Sequence, residues 1–153
     1  MFEAEQCKSP NFKWFGLALQ ALVVLSRLGE EPYPSHAIAK SIGSEATLIR
    51  RILSQLALGG ILETREGRVG GYLLKRSPEQ ITLDEVYLAL EGKDLHWGAM
   101  LETVGHCEFQ DDLKGSFSEI IGRINSSMLD ILKDYTIADL IQSCTNREQI
   151  NGG

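Results

Sequence analysis

The sequence lacks the cysteine pattern of a disulfide-rich or zinc-binding protein. It contains only three cysteines, Cys7, Cys107 and Cys144, and no two of them form a C-x-x-C pair. A disulfide framework or a tetrahedral zinc site would need more cysteines at closer spacing. Reduced, isolated thiols instead fit a cytoplasmic protein.

Long apolar runs and catalytic motifs are also missing. The longest apolar segment, residues 17–28, is interrupted by Gln20, Ser26 and Arg27, whereas a membrane-spanning helix needs about 18 apolar residues. The first residues do not show the basic region and apolar run of a signal peptide. No nucleophile elbow, P-loop or H-E-x-x-H motif occurs. We therefore expect a soluble, cytoplasmic protein that has no membrane partner and is not an enzyme.

Charge is distributed unevenly along the chain. The formal net charge of the 153 residues is −6, but residues 36–76 carry seven Lys or Arg against three acids. Residues 77–153 carry five basic residues and fourteen acids. Because salt limits electrostatic attraction to about 8–10 Å, the local charge matters more than the total. This division predicts a basic working module joined to an acidic body.

Residues 35–76 have the pattern of a helix-turn-helix followed by a hairpin. Ser35 is expected to cap a second helix, after a first one that starts at Ser9 and ends before Gly29. Ala39 is small where two helices must cross closely, and Gly43 can adopt the left-handed conformation of a tight turn. A third helix is predicted over residues 45–58, and strands over 61–65 and 72–75. The predicted fold class is mainly α with a small β-hairpin wing, a winged helix-turn-helix.

The third helix separates into an apolar face and a polar, basic face. Its apolar residues follow the spacing of one helix side, and Ile49 is expected to pack back onto the second helix. The opposite side should point outward and fit the major groove of double-stranded DNA, where Arg can bind guanine edges. This outward side comprises Thr47, Arg50, Arg51 and Ser54.

The glycine-rich hairpin is expected to form a wing that also reaches DNA. Arg65 and Arg68 lie near its tip, and Arg68 is the candidate for a minor-groove or phosphate contact. Gly70 and Gly71 are expected to let the backbone turn sharply and approach DNA closely. An Arg pair or a glycine-rich hairpin alone is a weak signal, but their order and local charge together favour DNA binding.

The acidic half is expected to contain a long amphipathic helix. Thr82 and Glu85 form a capping box that opens a fourth helix, residues 93–114 are expected to be a loop or broken helix, and the long helix should cover 116–134. Thr136 with Asp139 should start a short last helix. The predicted units are therefore a DNA-binding domain (9–92), a sensor loop with a dimerisation helix (93–145) and a flexible tail (146–153).

One apolar stripe on the long helix is the predicted homodimer interface. The stripe could be core within one chain, but a long amphipathic helix beyond a closed core needs a partner. A twofold dimer would also match palindromic half-sites about one helical turn apart. The predicted interface residues are Phe117, Ile121, Ile124, Met128 and Ile131.

The chain resembles the Rrf-type winged-helix transcriptional regulators, which include an iron–sulfur cluster regulator and a nitric-oxide-sensing repressor. The matching segments are Ala39, Gly43 and Ile49 of the helix-turn-helix, together with residues 59–62, 65–74, 77–86 and 89–92. The G-G-Y-x-L wing followed by P-x-x-I-T-L-x-x-V is fairly specific. The resemblance covers residues 10–92 well and implies a dimer joined through the long helix, with a first helix that supports DNA contact.

The chain departs from the family at the cluster-binding loop. The iron–sulfur members carry three closely spaced cysteines there, whereas only Cys107 lies in that region of this sequence. Because a cluster needs several thiolates, no cofactor is expected. Cys107 with His106 could hold a metal or act as a redox sensor, although an ordinary loop cysteine is the simpler interpretation. The input signal could equally be a small molecule.

The sequence thus leaves two hypotheses of different class. The first is a sequence-specific transcriptional regulator, a repressor that binds a palindromic operator as a homodimer. The alternative is a winged-helix module that binds another protein and has no affinity for DNA. A salt-dependent interaction with DNA separates the two.

Overall fold

The computed structural model describes residues 12–90, 98–105 and 108–151, with side chains at 12–90, 100–105 and 108–146. The helices in these ranges are α1 (Phe12–Leu28), α2 (Ser35–Ile42), α3 (Ala46–Leu58), α4 (Leu83–Ala89), α5 (Gly98–Glu102), α6 (Gln110–Lys133) and α7 (Ile137–Asn151). The strands are β1 (Leu62–Arg65) and β2 (Gly71–Leu74), and a 3₁₀ turn covers Pro78–Gln80. The predicted winged-helix class is confirmed.

The turn between α2 and α3 has the expected geometry. Gly43 ends α2 in the left-handed conformation (φ 66°), which lets the Ser44 amide bond the Ala39 carbonyl oxygen at 2.9 Å. Ala39 and Ile49 are both buried, so the two helices meet where the sequence pattern predicts. The motif therefore places α3 against α2 with one side of α3 outward.

A single apolar core joins α1, α2, α3 and α4, and it extends to the start of α7. Leu22, Ile52 and Val86 are fully buried in it, and so is Ile137. The Ile137 amide also donates to the Ile81 carbonyl oxygen at 3.0 Å, and the Leu83 amide donates to the Tyr135 carbonyl oxygen at 2.9 Å. The first turn of α7 is thus built into the same core as the helix-turn-helix.

The wing is an antiparallel hairpin with a third backbone segment beside it. Leu62 pairs with Leu74 and Arg65 pairs with Gly71. Tyr33, in the loop before α2, exchanges two backbone hydrogen bonds of 2.9 Å with Tyr72 of β2. These bonds attach the hairpin to the helical core, since β2 otherwise has β1 as its neighbour in the described sheet.

Both predicted reciprocal caps have the expected hydrogen bonds. Glu85 accepts the Thr82 amide at 3.2 Å in the capping box of α4. At the start of α7, Asp139 accepts the Thr136 amide at 2.8 Å, and Thr136 Oγ1 accepts the Asp139 amide at 3.2 Å. Each cap satisfies amides that the helix itself leaves without a partner.

Several predicted boundaries are wrong by one to six residues. Ser35 is the first residue of α2 rather than its cap, because Pro34 occupies the N-cap position without a side-chain bond. The long helix begins at Gln110. The negative charges of Asp111 and Asp112 in its first turn interact favourably with the positive end of the helix dipole. The last helix is longer than predicted: α7 reaches Asn151, so residues 146–151 are helical.

The apolar stripe of α6 is divided between the core and the surface. Ile121 is only 5% exposed, because α6 packs along α4 and α5 on that side. The side chain of Ile121, one of the predicted interface residues, is therefore packed within the single chain. Phe117, Ile124 and Met128 are partly exposed, and Ile131 is 61% exposed. Within the described ranges, no helix combines the length and apolarity that a membrane crossing requires.

Candidate nucleic-acid interface

The outward face of α3 presents the polar and basic residues that the sequence predicts. The helix buries Ile49, Ile52, Leu53 and Leu56. Its opposite side exposes Thr47, Arg50, Arg51 and Ser54. Because α3 is the second helix of the helix-turn-helix, this exposed side is the one that can enter a major groove.

The two adjacent arginines differ in their surroundings. The Cζ atom of Arg51 lies 5.3 Å from the ring centroid of Trp14 on α1, within the range of a cation–π contact. The Arg50 guanidinium makes no hydrogen bond or ion pair within the described part of the chain. Arg50 is thus free to adapt to a base edge, whereas Arg51 is held against the first helix.

The hydroxyl groups of this face also differ. Ser54 Oγ donates to the Arg50 carbonyl oxygen at 2.9 Å, a bond within α3 itself. Its proton is engaged, so Ser54 can approach DNA as an acceptor. Thr47 lies in the first turn of α3 and can act as donor or acceptor.

The wing carries less net positive charge than its arginines suggest. Arg65 Nε lies 3.6 Å from Glu63 Oε1, and both side chains are about half exposed. A solvent-exposed pair of this kind is weak and can be displaced. Arg68 stands at the exposed turn beside Glu66, so it is the remaining cation of the wing.

The start of α3 also carries an acid. Glu45 is exposed and precedes α3 as its N-cap residue.

Val69 at the wing tip is a surface feature that the charge pattern does not predict. It is 84% exposed, next to Arg68. Most of this apolar side chain is therefore accessible at the hairpin tip. Such a residue can pack against sugar or base surfaces in a groove. A signal for it existed in the sequence, since Val69 is the apolar residue between the glycines of the turn.

Gly70 and Gly71 are required by contacts inside the protein. A Cβ atom at Gly70 would overlap the carbonyl oxygen of Arg65, across the hairpin turn. A Cβ atom at Gly71 would overlap the carbonyl group of Tyr33, whose backbone is paired with Tyr72. The absence of a side chain at these two positions therefore lets the hairpin turn form and lets the wing pair with Tyr33. How closely this backbone can approach DNA depends on the resulting shape of the wing.

The predicted sensor residues do not all fall in the described part of the chain. His106 and Cys107 lie outside the described residues. Cys144 is exposed on α7. Among the residues that the structure describes, no three His, Cys, Asp or Glu side chains form a group that could hold a metal ion.

A second surface, far from the charged face of α3 in sequence, lies on α6. We call it the α6 groove; it is an open apolar depression of about 580 Å³. Its apolar residues recur at the spacing of one helix side, and two of them, Ile120 and Ile131, are 47% and 61% exposed. The lining residues are Ile120, Arg123, Ile124, Ser127, Met128, Ile131 and Leu132. Phe117 of the predicted interface is not among them.

Comparison with known proteins assigns this arrangement to a family. A family model named Rrf2, described as an iron-dependent transcriptional regulator, matches residues 13–143. The protein aau3 of Rhizobium meliloti (strain 1021) is 29% identical over 136 residues, which are 88% of this chain and 84% of that protein. The HTH-type transcriptional regulator CymR of Bacillus subtilis (strain 168) is 25% identical over 135 residues, covering 88% and 89% of the two chains.

Solved structures share the fold over nearly the whole chain. CymR of B. subtilis, described as the global cysteine regulator, matches with a TM-score of 0.62 at 22% identity and covers 94% of this chain and 98% of that one. IscR of T. potens matches with a TM-score of 0.62 at 22% identity and covers 90% of each chain. At these identities the structural likeness establishes the winged-helix fold.

Proposed function

The chain belongs to the Rrf2 family and is a DNA-binding transcriptional regulator, and we propose that it binds a palindromic operator as a homodimer and represses transcription. The observation that carries this proposal is the exposed, basic side of α3 within a helix-turn-helix flanked by a wing. The chain acts by binding and not by catalysis. Its site of action is the cytoplasm, where bacterial promoter DNA is found.

Within this function, α3 reads bases and the wing holds the backbone. Arg50 is the base-reading residue, because its guanidinium can form two hydrogen bonds to guanine. Thr47 and Ser54 flank it on the same side of α3. Arg68, with Arg65 released from Glu63, contacts phosphates beside the groove. Repression follows if the operator overlaps the binding site of RNA polymerase.

Replacing Arg50 or Arg68 should affect DNA binding in different ways. Arg50→Ala should lower the preference for the operator over random DNA by about 10- to 100-fold, since a bidentate base contact is lost. Arg68→Ala should weaken binding to both DNAs similarly and reduce the salt slope by about one. The operator would first be selected from a random pool, and affinities would be measured by fluorescence anisotropy at several salt concentrations.

Lys133→Ala is the matched control, because it removes one positive charge at the end of α6, outside the helix-turn-helix and wing. It should leave affinity and preference nearly unchanged. Equal loss of preference in all three variants would contradict the assigned roles. No binding of the unaltered protein even at low salt would contradict DNA binding and favour the protein-interaction module.

The homodimer is proposed to form through the α6 groove. Its apolar residues are exposed (Ile120, Ile131) or partly exposed in the single chain, and exposed contiguous apolar surface marks interaction sites. A twofold axis through this groove would present two copies of α3 to two half-sites, as a palindrome requires. Ile120 joins Ile124, Met128 and Ile131 in this interface, and the buried Ile121 does not.

We also propose that this chain holds no iron–sulfur cluster. Clusters are held by several cysteine thiolates, and this chain has three cysteines about a hundred and about forty residues apart. One of them, Cys144, lies on α7. The inducing signal is then a small molecule or oxidation of a single thiol such as Cys107, next to His106.

Anaerobically purified protein should therefore show no absorption band in the visible range. Reconstitution with ferrous iron and sulfide should leave the spectrum unchanged after desalting, and Cys107→Ala should behave identically. A brown protein whose visible bands disappear in Cys107→Ala would show that a cluster is bound after all. Operator binding measured on the same samples reports whether the protein remained folded and functional.

A further inference from the structure

Trp14 and Arg51 join the first helix to the DNA-facing side of α3. Trp14 lies in the first turn of α1 and is only 8% exposed. The Cζ atom of Arg51, five residues into α3, lies 5.3 Å from the centroid of its ring. Arg51 itself is exposed. A largely buried ring thus supports a cation on the surface that faces DNA.

This contact changes what the Arg51 side chain can do. A free arginine has many rotamers, and ordering it on DNA costs side-chain conformational entropy. Attraction between the cation and the ring restricts those rotamers before DNA arrives. The N–H donors that do not point at the ring remain available for hydrogen bonds, and their forked arrangement matches two phosphate oxygens.

A restricted cation is better suited to phosphate than to base contact. Phosphates occupy nearly the same positions in every DNA sequence, so a fixed donor can meet them without adjustment. A base-reading side chain must reach a base edge in the groove. The neighbouring Arg50 can do so, because its guanidinium makes no hydrogen bond or ion pair among the described residues. The contact with Trp14 therefore gives the two adjacent arginines separate roles.

We propose that Trp14 is a positioning residue that holds Arg51 as a preorganised phosphate contact and thereby fixes the register of α3 on the duplex. This inference rests on the proposed DNA-binding function and deepens it. It assigns the first helix a part in DNA binding that operates through Arg51. Arg51 contributes affinity, and Arg50 contributes sequence preference.

A double-mutant cycle tests the proposal. The four proteins are the unaltered chain, Trp14→Leu, Arg51→Ala and the double variant, each titrated with operator and random DNA at several salt concentrations. Arg51→Ala should weaken binding to both DNAs about tenfold and lower the salt slope by about one. Trp14→Leu should weaken binding about two- to fivefold when Arg51 is present, the range of an exposed cation–π contact, and by less than twofold when Arg51 is absent.

Two conservative variants separate positioning from folding. Trp14→Phe keeps an aromatic face and should restore most of the affinity that Trp14→Leu loses. Arg51→Lys keeps the charge but not the forked donors, so its affinity should lie between those of the unaltered chain and Arg51→Ala. Thermal unfolding of each variant shows how much of any loss of DNA affinity is explained by reduced stability of the fold.

Particular results would overturn the inference while leaving the proposed function intact. One is an equal effect of Trp14→Leu in the presence and absence of Arg51, which would indicate a purely structural role of the ring. Another is a loss of base preference in Arg51→Ala, which would make Arg51 a base reader. If the unaltered protein bound no DNA, the proposed function itself would fail, and that result is distinct from either.

Discussion

Replacing Ile131 with glutamate should convert the protein from a dimer to a monomer and lower its operator affinity by about 100-fold or more. Ile131 is 61% exposed in the α6 groove, so the folded single chain tolerates a polar side chain there. In a twofold interface the substitution would place two carboxylates close together in an apolar environment, and each would lose hydration. A dimer that contacts both half-sites at once binds with an affinity about 100 to 10,000 times that of a single half-site contact.

Sedimentation or light scattering over a range of protein concentrations measures the dimer, and anisotropy measures operator binding. Leu88→Glu is the matched control, because Leu88 on α4 is 53% exposed and outside the α6 groove. It should leave both measurements nearly unchanged. A dimer of undiminished stability in Ile131→Glu would show that the α6 groove is not the interface.

Ile121 provides a contrasting result on the same helix. Because its side chain is buried within one chain, Ile121→Ala should lower the free energy of unfolding by about 2–5 kcal/mol. It should not selectively weaken the dimer. Comparing it with Ile131→Glu distinguishes the inner side of α6 from the outer side.

Replacing Gly71 with alanine should destabilise the protein by about 2–5 kcal/mol and detach the wing from the helical core. The added Cβ would overlap the carbonyl group of Tyr33, and Gly71 has a φ of 153°. The neighbouring backbone cannot easily yield, since Tyr33 and Tyr72 are joined by two hydrogen bonds of 2.9 Å. Overpacking and backbone strain each contribute about 1–3 kcal/mol.

Urea unfolding at a fixed protein concentration measures this effect, because the stability of a dimer depends on concentration. Two other glycines serve as controls, since nothing lies within 4 Å of a Cβ built at either. Gly43→Ala should cost about 1–2 kcal/mol from its φ of 66° alone. Gly16→Ala, inside α1, should stabilise by about 0.5–1 kcal/mol. A smaller effect at Gly71 than at Gly43 would contradict the steric account.

Local patterns in the sequence were sufficient to predict the helix-turn-helix and the caps. Ala39, Gly43 and Ile49 lie within eleven residues of one another, and their sizes and conformational preferences act over that distance. Thr82 with Glu85 depends only on three-residue spacing, so it is equally readable. Helical periodicity also assigned Arg50 and Arg51 to the outer side of α3, because the buried side was clear.

Periodicity could not predict which side of α6 the rest of the chain covers. The stripe that contains Ile121 and Ile131 is wider than one contact surface, and the packing of α4 and α5 determines which part is buried. The same limit applies to the last helix, since α7 packs on α1, more than a hundred residues away, and on the 3₁₀ turn at Pro78–Gln80, and Ile137 is buried in the shared core.

The winged-helix module, the exposed polar residues of α3 and the family resemblance followed from residues close together in the chain, where spacing and side-chain size act locally. The contact between Trp14 and Arg51, the steric need for Gly71 beside Tyr33 and the division of the α6 stripe join residues that are far apart in sequence. Such contacts exist only once the helices and the wing are packed, because burial and clash depend on distances that no local pattern encodes. The polar face of α3 could be predicted from the sequence of one helix, whereas the different surroundings of Arg50 and Arg51 are set by α1, which packs beside it.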